Sequence, residues 1–332
     1  MSASSDSLIA HLRAAGTVTA GPVRVRGLEG GVSSEIALVE DGDRRLVVKR
    51  ALPRLKVSAE WLADTGRNRT EWDYFDYAAR VVPESVPRIL AGNREEGWFA
   101  MEYFGDGFRT WKQMLLAGHA DRGPAVHAGA VLGRLHAASW GDSNAAARFA
   151  TLSNFHALRI EPYLLTTAAR VPAVRDVLEA EAGRLARTNL ALVHGDYSPK
   201  NLLVSHDRIV VLDAECGWYG DPAFDTAFLL CHLHLKTLLH RADPARLLDL
   251  VPAFWNAYGT ALGSRATADL ESRTVLLLAA LMLARVHGKS PVEYLKPGDG
   301  DIVTAFAVRC LVTPTPVLKT FTADWLLTLA SS

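Results

Sequence analysis

The chain has 332 residues, 49% of them hydrophobic, and its 36 Lys and Arg balance its 36 Asp and Glu to a formal net charge of zero. That length exceeds what one hydrophobic core usually supports, and the composition excludes a disordered chain. The neutral balance gives no global basic field to recommend nucleic acid or an anionic membrane as partner, and three cysteines without zinc-ligand or disulfide spacing suit a reducing interior.

In chain order, Met1 to Ser7 is polar and lacks the charged start and apolar core of a secretory signal. Val23 to Glu29 reads as a strand, followed by Gly30-Gly31-Val32-Ser33-Ser34 and a second strand, Glu35 to Glu40. Asp41-Gly42-Asp43 is a turn signal, and Arg45 to Arg50 is the returning strand of an antiparallel meander. Arg67 to Arg80 reads as a helix, with Trp72, Phe75 and Ala79 on one face of a 3.6-residue period, interrupted by Asp76. Arg88 to Ala91 and Trp98 to Tyr103 are two more short strands. Beyond Gly105 helices dominate: Trp111 to Ala117, Ala125 to Ala138, Ala173 to Arg187, and several after Pro222. The exception is Leu190 to Asp213, where three short apolar runs are broken by His194-Gly195-Asp196 and by Ser205-His206-Asp207-Arg208. The apolar run Thr274 to Ala284 is about half of the ~20 residues a membrane span needs, so a buried helix and a cytoplasmic location are expected. The plan is α+β. A small antiparallel β N-lobe with one main helix spans residues 1–104, a hinge lies near Glu102 to Gly105, and a larger, mostly helical C-lobe spans 105–332.

Four residues separate Asp196 from Asn201 on a loop between two short apolar strands. Phosphoryl transfer to a hydroxyl needs a carboxylate to orient the attacking oxygen and take its proton, and oxygen ligands to hold magnesium against the phosphates. This spacing matches a kinase catalytic loop. Asp213 comes twelve positions after Asn201, and a hairpin between them would bring both to one sparse magnesium site. On the opposite wall, the Gly30-Gly31 backbone can approach phosphates closely, and the Ser33 and Ser34 hydroxyls add donors. Lys49 sits late in the third strand, and Glu71 on the following helix is its natural partner. The order of Gly-rich turn, strand lysine, helix glutamate, hinge, Asp-x4-Asn and Asp is kinase-like.

Further stretches then carry a resemblance. Leu28 to Glu35, Val47-Val48-Lys49, Met101-Glu102-Tyr103, Leu132 to Ala137, His194 to Asn201 and Gly220 to Asp225 resemble the aminoglycoside phosphotransferase and methylthioribose kinase superfamily, over roughly residues 20–290. The resemblance implies a protein-kinase-like two-lobed fold and transfer of the γ-phosphate of ATP to a small-molecule hydroxyl. It implies Asp196 as catalytic base, Asn201 and Asp213 as Mg2+ ligands, Lys49 and Glu71 as a phosphate clamp, and Glu102, Tyr103 and Phe104 as the adenine hinge. Asp213-Ala214-Glu215 is similar to methylthioribose kinases, which makes Glu215 a candidate second metal ligand. Asn201 resembles the aminoglycoside enzymes more. The paired arginines that grip the sugar in methylthioribose kinases are not paired here, where only Arg285 stands near that place.

Other residues read less sharply. Asp221-Pro222 starts a helix, and Asp225, one turn inside, is placed to bond the catalytic loop. His194 and His136 read as architectural. His232 and His234, two apart on a helix, do not share a face for a metal. Lys200 either touches the γ-phosphate or is solvated, Trp218 offers aromatic surface to an acceptor or packs in the core, and Arg285 belongs to a cationic cluster or to a basic helix end. From Thr226 onward ten basic residues face eight acidic ones, which argues against a polycationic aminoglycoside. The leading expectation is a kinase for a sugar-like or polyol metabolite. An antibiotic phosphotransferase for an aminoglycoside or macrolide, and a catalytically inactive nucleotide-binding module, are the alternatives.

Overall fold

The structure is a computed structural model that describes residues 3–28, 34–51 and 67–331. The chain divides into two compact units, Met1–Gly107 and Phe108–Ser332.

In the first unit, α1 (Ala3–Ala14) precedes a five-stranded antiparallel sheet of order β1-β2-β3-β5-β4. Its strands are β1 (Val23–Gly27), β2 (Ser34–Asp41), β3 (Arg44–Ala51), β4 (Ile89–Asn93) and β5 (Trp98–Glu102), and α2 (Arg67–Val81) lies between β3 and β4 in sequence. β2 and β3 pair up to Asp41 opposite Arg44, so the turn has two residues, and Gly42 at its first position takes φ of 59°. Strand alternation sends Leu46 and Val48 into a cluster with Ile9 and Leu12 of α1, while Lys49 reaches Glu71 of α2 from the other face. The buried face of α2 carries Glu71, Tyr74, Phe75 and Ala78. That corrects the expected face: Ala79 is exposed and Trp72 half-buried, because Glu71, bonded to Lys49, occupies the buried stripe that an apolar residue was expected to fill. Asp76 lies off that face and pairs with Arg94 at 3.1 Å.

The second unit is mostly helical. It begins with β6 (Arg109–Thr110), α3 (Trp111–Leu116), α4 (Arg122–Ser139), α5 (Ser143–Arg148) and α6 (Leu152–Phe155). A π-helical stretch, His156–Leu165, leads into α7 (Thr166–Arg170) and α8 (Arg175–Arg187). Two small sheets follow, built from β7 (Ala191–Val193), β8 (Leu202–Val204), β9 (Ile209–Val211) and β10 (Trp218–Gly220), with order β10-β7 and β6-β8-β9. The remainder is α9 (Ala223–Lys236), α10 (Pro244–Leu248), α11 (Leu250–Leu262), α12 (Ala268–His287), α13 (Asp299–Val312) and α14 (Leu318–Ala330). All of α9 is buried, and α12 is buried from Thr274 to Arg285 apart from Leu276. Among the described residues no helix is long and apolar enough to cross a membrane.

α4 and α11 touch through glycine. A Cβ at Gly129 would lie 2.3 Å from the Phe254 carbonyl oxygen, and one at Gly133 would lie 2.6 Å from that of Tyr258. An alanine inside a helix normally stabilises it, but here the obstacle is backbone, so the contact wins. Gly129→Ala is expected to lower stability by about 1–3 kcal/mol, read as a lower denaturation midpoint in urea.

Burial pushes His234 down to about 4, although its bond to the Leu230 carbonyl opposes the shift. Its neutral ring suits both partners: Nδ1–H donates to Leu230 O at 2.8 Å, and Nε2 accepts from Thr322 Oγ1 at 3.1 Å. The unfolded chain binds this proton near pH 6.5, so stability is full above that pH and falls as pH drops toward 4. The loss is roughly 3 kcal/mol. Melting temperatures at pH 7 and 4.5 should differ markedly, and His234→Gln should shrink the difference.

Candidate active site

The loop between β7 and β8 is built around Asp196. Asp225, in the first turn of α9, accepts the His194 N–H at 2.6 Å and the Gly195 N–H at 2.8 Å. His136 Nε2 lies 3.3 Å from the Asp225 carboxylate, and its Nδ1 lies 3.0 Å from Tyr258 Oη. Gly195 has φ of 75°, and a Cβ there would meet the Cys216 carbonyl at 2.5 Å, so no other residue fits. His194 accepts the Asp196 N–H at Nδ1 (3.1 Å) and donates from Nε2 to the Leu212 carbonyl (3.1 Å). Burial lowers its pKa against the pull of Asp225 and Asp196, which keeps it neutral in this tautomer. Tyr197 donates to the Ala128 carbonyl at 2.8 Å. Together these bonds fix the backbone of the loop that carries Asp196.

The Asp196 side chain is only 5% exposed, and its Oδ2 meets two cations: Lys200 Nζ at 2.9 Å and Arg159 Nη2 at 3.1 Å. Burial alone would raise its pKa. Lys200 and Arg159 outweigh that and hold the carboxyl below the usual carboxylate range. Arg159 comes from the π-helical stretch, and its Nε also donates to the Gly195 carbonyl at 2.5 Å. Sequence reasoning missed it. The signal that could have found it is a lone arginine inside the apolar run Leu158-Arg159-Ile160. Lys200, 51% exposed, is ion-paired with Asp196 rather than simply solvated.

The β8–β9 hairpin pairs Leu202 with Val211, and the Leu212 N–H donates to the Asn201 carbonyl at 2.9 Å. This puts Asn201 beside Leu212, one residue before Asp213. The Asn201 amide nitrogen donates to the Asp196 carbonyl at 3.0 Å, which leaves its amide oxygen to face a cation. Asp213 takes φ of 65°, alone among the described non-glycine residues in the left-handed region. Its charge acts on both Asp196 and His194. Asn154 holds the Glu215 backbone carbonyl at 2.8 Å, and the largely buried Glu215 carboxylate lies within electrostatic reach of Arg159. No three His, Cys, Asp or Glu gather into a metal-binding group among the described residues. Asn201, Asp213 and Glu215 carry oxygen donors only, the type that a hard ion such as magnesium takes alongside water and phosphate oxygens.

In the first unit, Lys49 and Glu71 form a buried ion pair, Nζ lying 2.9 Å and 2.7 Å from the two carboxylate oxygens. Asn68 fixes the strand beside them by donating to the Lys49 and Gly97 carbonyls. Glu102 closes β5, its N–H bonded to the Arg88 carbonyl at 3.0 Å; Tyr103 packs under Arg45 at 4.9 Å, and Phe104 follows. Gly30, Gly31 and Ser33 lie outside the described residues, and of Ser34 only the backbone is described, where it opens β2.

Trp218 needs correction. It is 1% exposed and stacked on Phe155 at 4.3 Å, so it builds the core and offers no surface to an acceptor. Arg285 is buried near the end of α12, where its Nη1 donates to Tyr163 Oη at 3.1 Å and Ser290 Oγ at 3.0 Å.

The fold is of the kinase type. The chain aligns over 97% of its length with 99% of a choline/ethanolamine kinase family protein from Mesorhizobium loti (TM-score 0.53, 18% identity). It aligns over its whole length with 98% of a macrolide 2′-phosphotransferase type I (TM-score 0.52, 15% identity). Residues 24–274 match the phosphotransferase enzyme family, to which this chain belongs. It is 27% identical to a methylthioribose kinase of Pectobacterium carotovorum, covering 74% of this chain and 71% of that protein. The chain is therefore a small-molecule phosphotransferase acting on a hydroxyl group, and as a kinase it uses ATP.

Proposed function

We propose that the chain transfers the γ-phosphate of ATP, with magnesium, to a hydroxyl of a sugar-like or polyol metabolite, using Asp196 as the base. The observation that carries this reading is the Asp196 carboxylate, held ionised by Lys200 and Arg159 on a loop that Asp225 and His194 fix from behind. Asp196 orients the acceptor hydroxyl and takes its proton as the oxygen bonds to the γ-phosphorus and the bond to the ADP oxygen breaks. Because two cations depress its basicity, Asp196 takes the proton late, when phosphorus–oxygen bond formation has made the hydroxyl acidic. Asn201, Asp213 and Glu215 would hold magnesium, which neutralises phosphate charge when bound. Lys49, held by Glu71, binds nucleotide phosphate, the segment Glu102 to Phe104 carries the adenine, and the sequence Gly30-Gly31 with Ser33 and Ser34 would add backbone and hydroxyl donors.

Similarity to methylthioribose kinases supports a sugar-like acceptor. A coupled assay of ADP release over sugars, polyols and antibiotics tests the reading. Acceptor-dependent release with sugars or polyols is expected. Release with aminoglycosides or macrolides alone, with drug tolerance on expression, would overturn it.

A further inference from the structure

Linked to Asp196 through Arg159 and Tyr163 lies a cluster of basic groups that the reaction described above does not use. α9 presents Phe228, His232 and Lys236 four residues apart, on one helical stripe. Lys236 is 1% exposed. Among the described residues it makes no ion pair or hydrogen bond, and its Nζ rests 4.8 Å from the centre of the Tyr294 ring. Arg285 is 9% exposed, and both of its hydrogen-bond partners, Tyr163 and Ser290, are neutral. Its Nε, the His232 Nδ1 and the Tyr294 hydroxyl are buried without a partner among the described residues. Glu293, a carboxylate whose charge reaches Lys236, is taken by Lys112.

The cluster is continuous with the catalytic loop. The Arg159 guanidinium, paired with Asp196, lies 5.6 Å from the Tyr163 ring and 5.7 Å from that of Phe228. Arg285 covers the same Tyr163 ring at 5.8 Å. His232 feels the charges of Lys236, Arg285, Lys200 and Lys112, and Arg285 feels that of Asp196.

Two buried basic groups, neither bonded to a carboxylate among the described residues, are costly, and chains retain such groups where something else neutralises them. Here burial, with Lys112 and Arg285 adding to it, pushes the Lys236 amine down to about 7. A bound anion would restore its charge and engage the unspent donors of Arg285, His232 and Tyr294. Resting on the kinase reading above, we propose that the acceptor is a small hydroxylated anion, whose carboxylate or phosphate is held by Lys236 and Arg285 while its hydroxyl faces Asp196. A polycationic or uncharged acceptor would leave this cluster unpaired.

The test uses the full chain with saturating ADP and magnesium, so that the nucleotide site is filled. Inorganic phosphate and malonate are titrated separately at constant ionic strength, and the melting temperature is followed. A saturable rise with one of them is expected, and which one responds tells a phosphate-bearing acceptor from a carboxylate-bearing one. Lys236→Met removes a buried charge, so it should fold at least as well as the parent yet bind the anion on the order of 30-fold more weakly. Arg285→Gln should weaken it in the same direction. No saturable anion effect, or one unchanged in Lys236→Met, overturns the proposal. Turnover is then compared on glycerol, glycerate and glycerol 3-phosphate and on the corresponding five-carbon sets. Preference for an anionic member that collapses in Lys236→Met supports it. Preference for a neutral member, lost in Asp196→Asn but kept in Lys236→Met, leaves the kinase standing and removes the anion site.

Discussion

Asp196→Asn should lower acceptor-dependent turnover by about 10²–10⁴-fold while leaving ATP binding near that of the parent. Asparagine keeps the shape and can still orient a hydroxyl, but it cannot take the proton. The loop that carries it is fixed by other groups, since Asp225 holds the His194 and Gly195 amides and His194 holds the Asp196 amide. The defect should therefore appear in kcat. Stability should fall as well, because Arg159 would keep its buried position beside a neutral group. Measuring the melting temperature and the ATP affinity of the variant together separates the chemical loss from unfolding. Equal losses of ATP affinity and turnover would show that Asp196 acts mainly in shaping the site.

Glu71→Gln should destabilise the chain by about 3–5 kcal/mol, since it removes one member of a buried ion pair and leaves the other charged. Lys49 is 3% exposed and Glu71 is 0% exposed, so water cannot replace the lost partner. Lys49→Met should cost a comparable amount, and the double variant Lys49→Met with Glu71→Leu should recover much of it, because no charge is then stranded. All three should lose ATP affinity, including the stable double variant. That pattern, stability regained without nucleotide binding, would mark the pair as functional; recovery of both together would contradict the clamp role.

Much of this arrangement is legible in the amino-acid sequence. The meander of β1 to β3 announces itself through period-two apolar runs and the Asp41-Gly42-Asp43 turn, and the Lys49–Glu71 pair through its order along the chain. The bond of Asn201 to Leu212, one residue before Asp213, follows from two short apolar runs joined by a polar turn, the pattern of a hairpin. What stays hidden has physical reasons. α1 begins in a polar segment, and Ile9 and Leu12 become meaningful only once β1, β2 and β3 offer them an apolar face. The buried stripe of α2 is misplaced by periodicity because it contains Glu71, a residue whose burial depends on a lysine twenty-two positions away. Arg159 reaches Asp196 from a π-helical stretch thirty-seven residues upstream, and no local pattern encodes that reach. Trp218 closely follows Asp213-Ala214-Glu215 in sequence, yet strand alternation and Phe155 turn it into the core. Lys236 reads as an ordinary helix-terminal lysine, because the sequence carries no sign that its neighbours would leave its amine without a carboxylate partner.

Transfer of a phosphoryl group to a small-molecule hydroxyl can be followed by phosphorus NMR of a reaction containing ATP, magnesium and the acceptor found by the ADP-release assay. A new phosphomonoester signal is expected, split by the protons of the carbon that bore the hydroxyl, growing in step with ADP and about 10²–10⁴-fold more slowly in Asp196→Asn. ADP accompanied by inorganic phosphate alone, or the same phosphomonoester formed at an undiminished rate by Asp196→Asn, would contradict it.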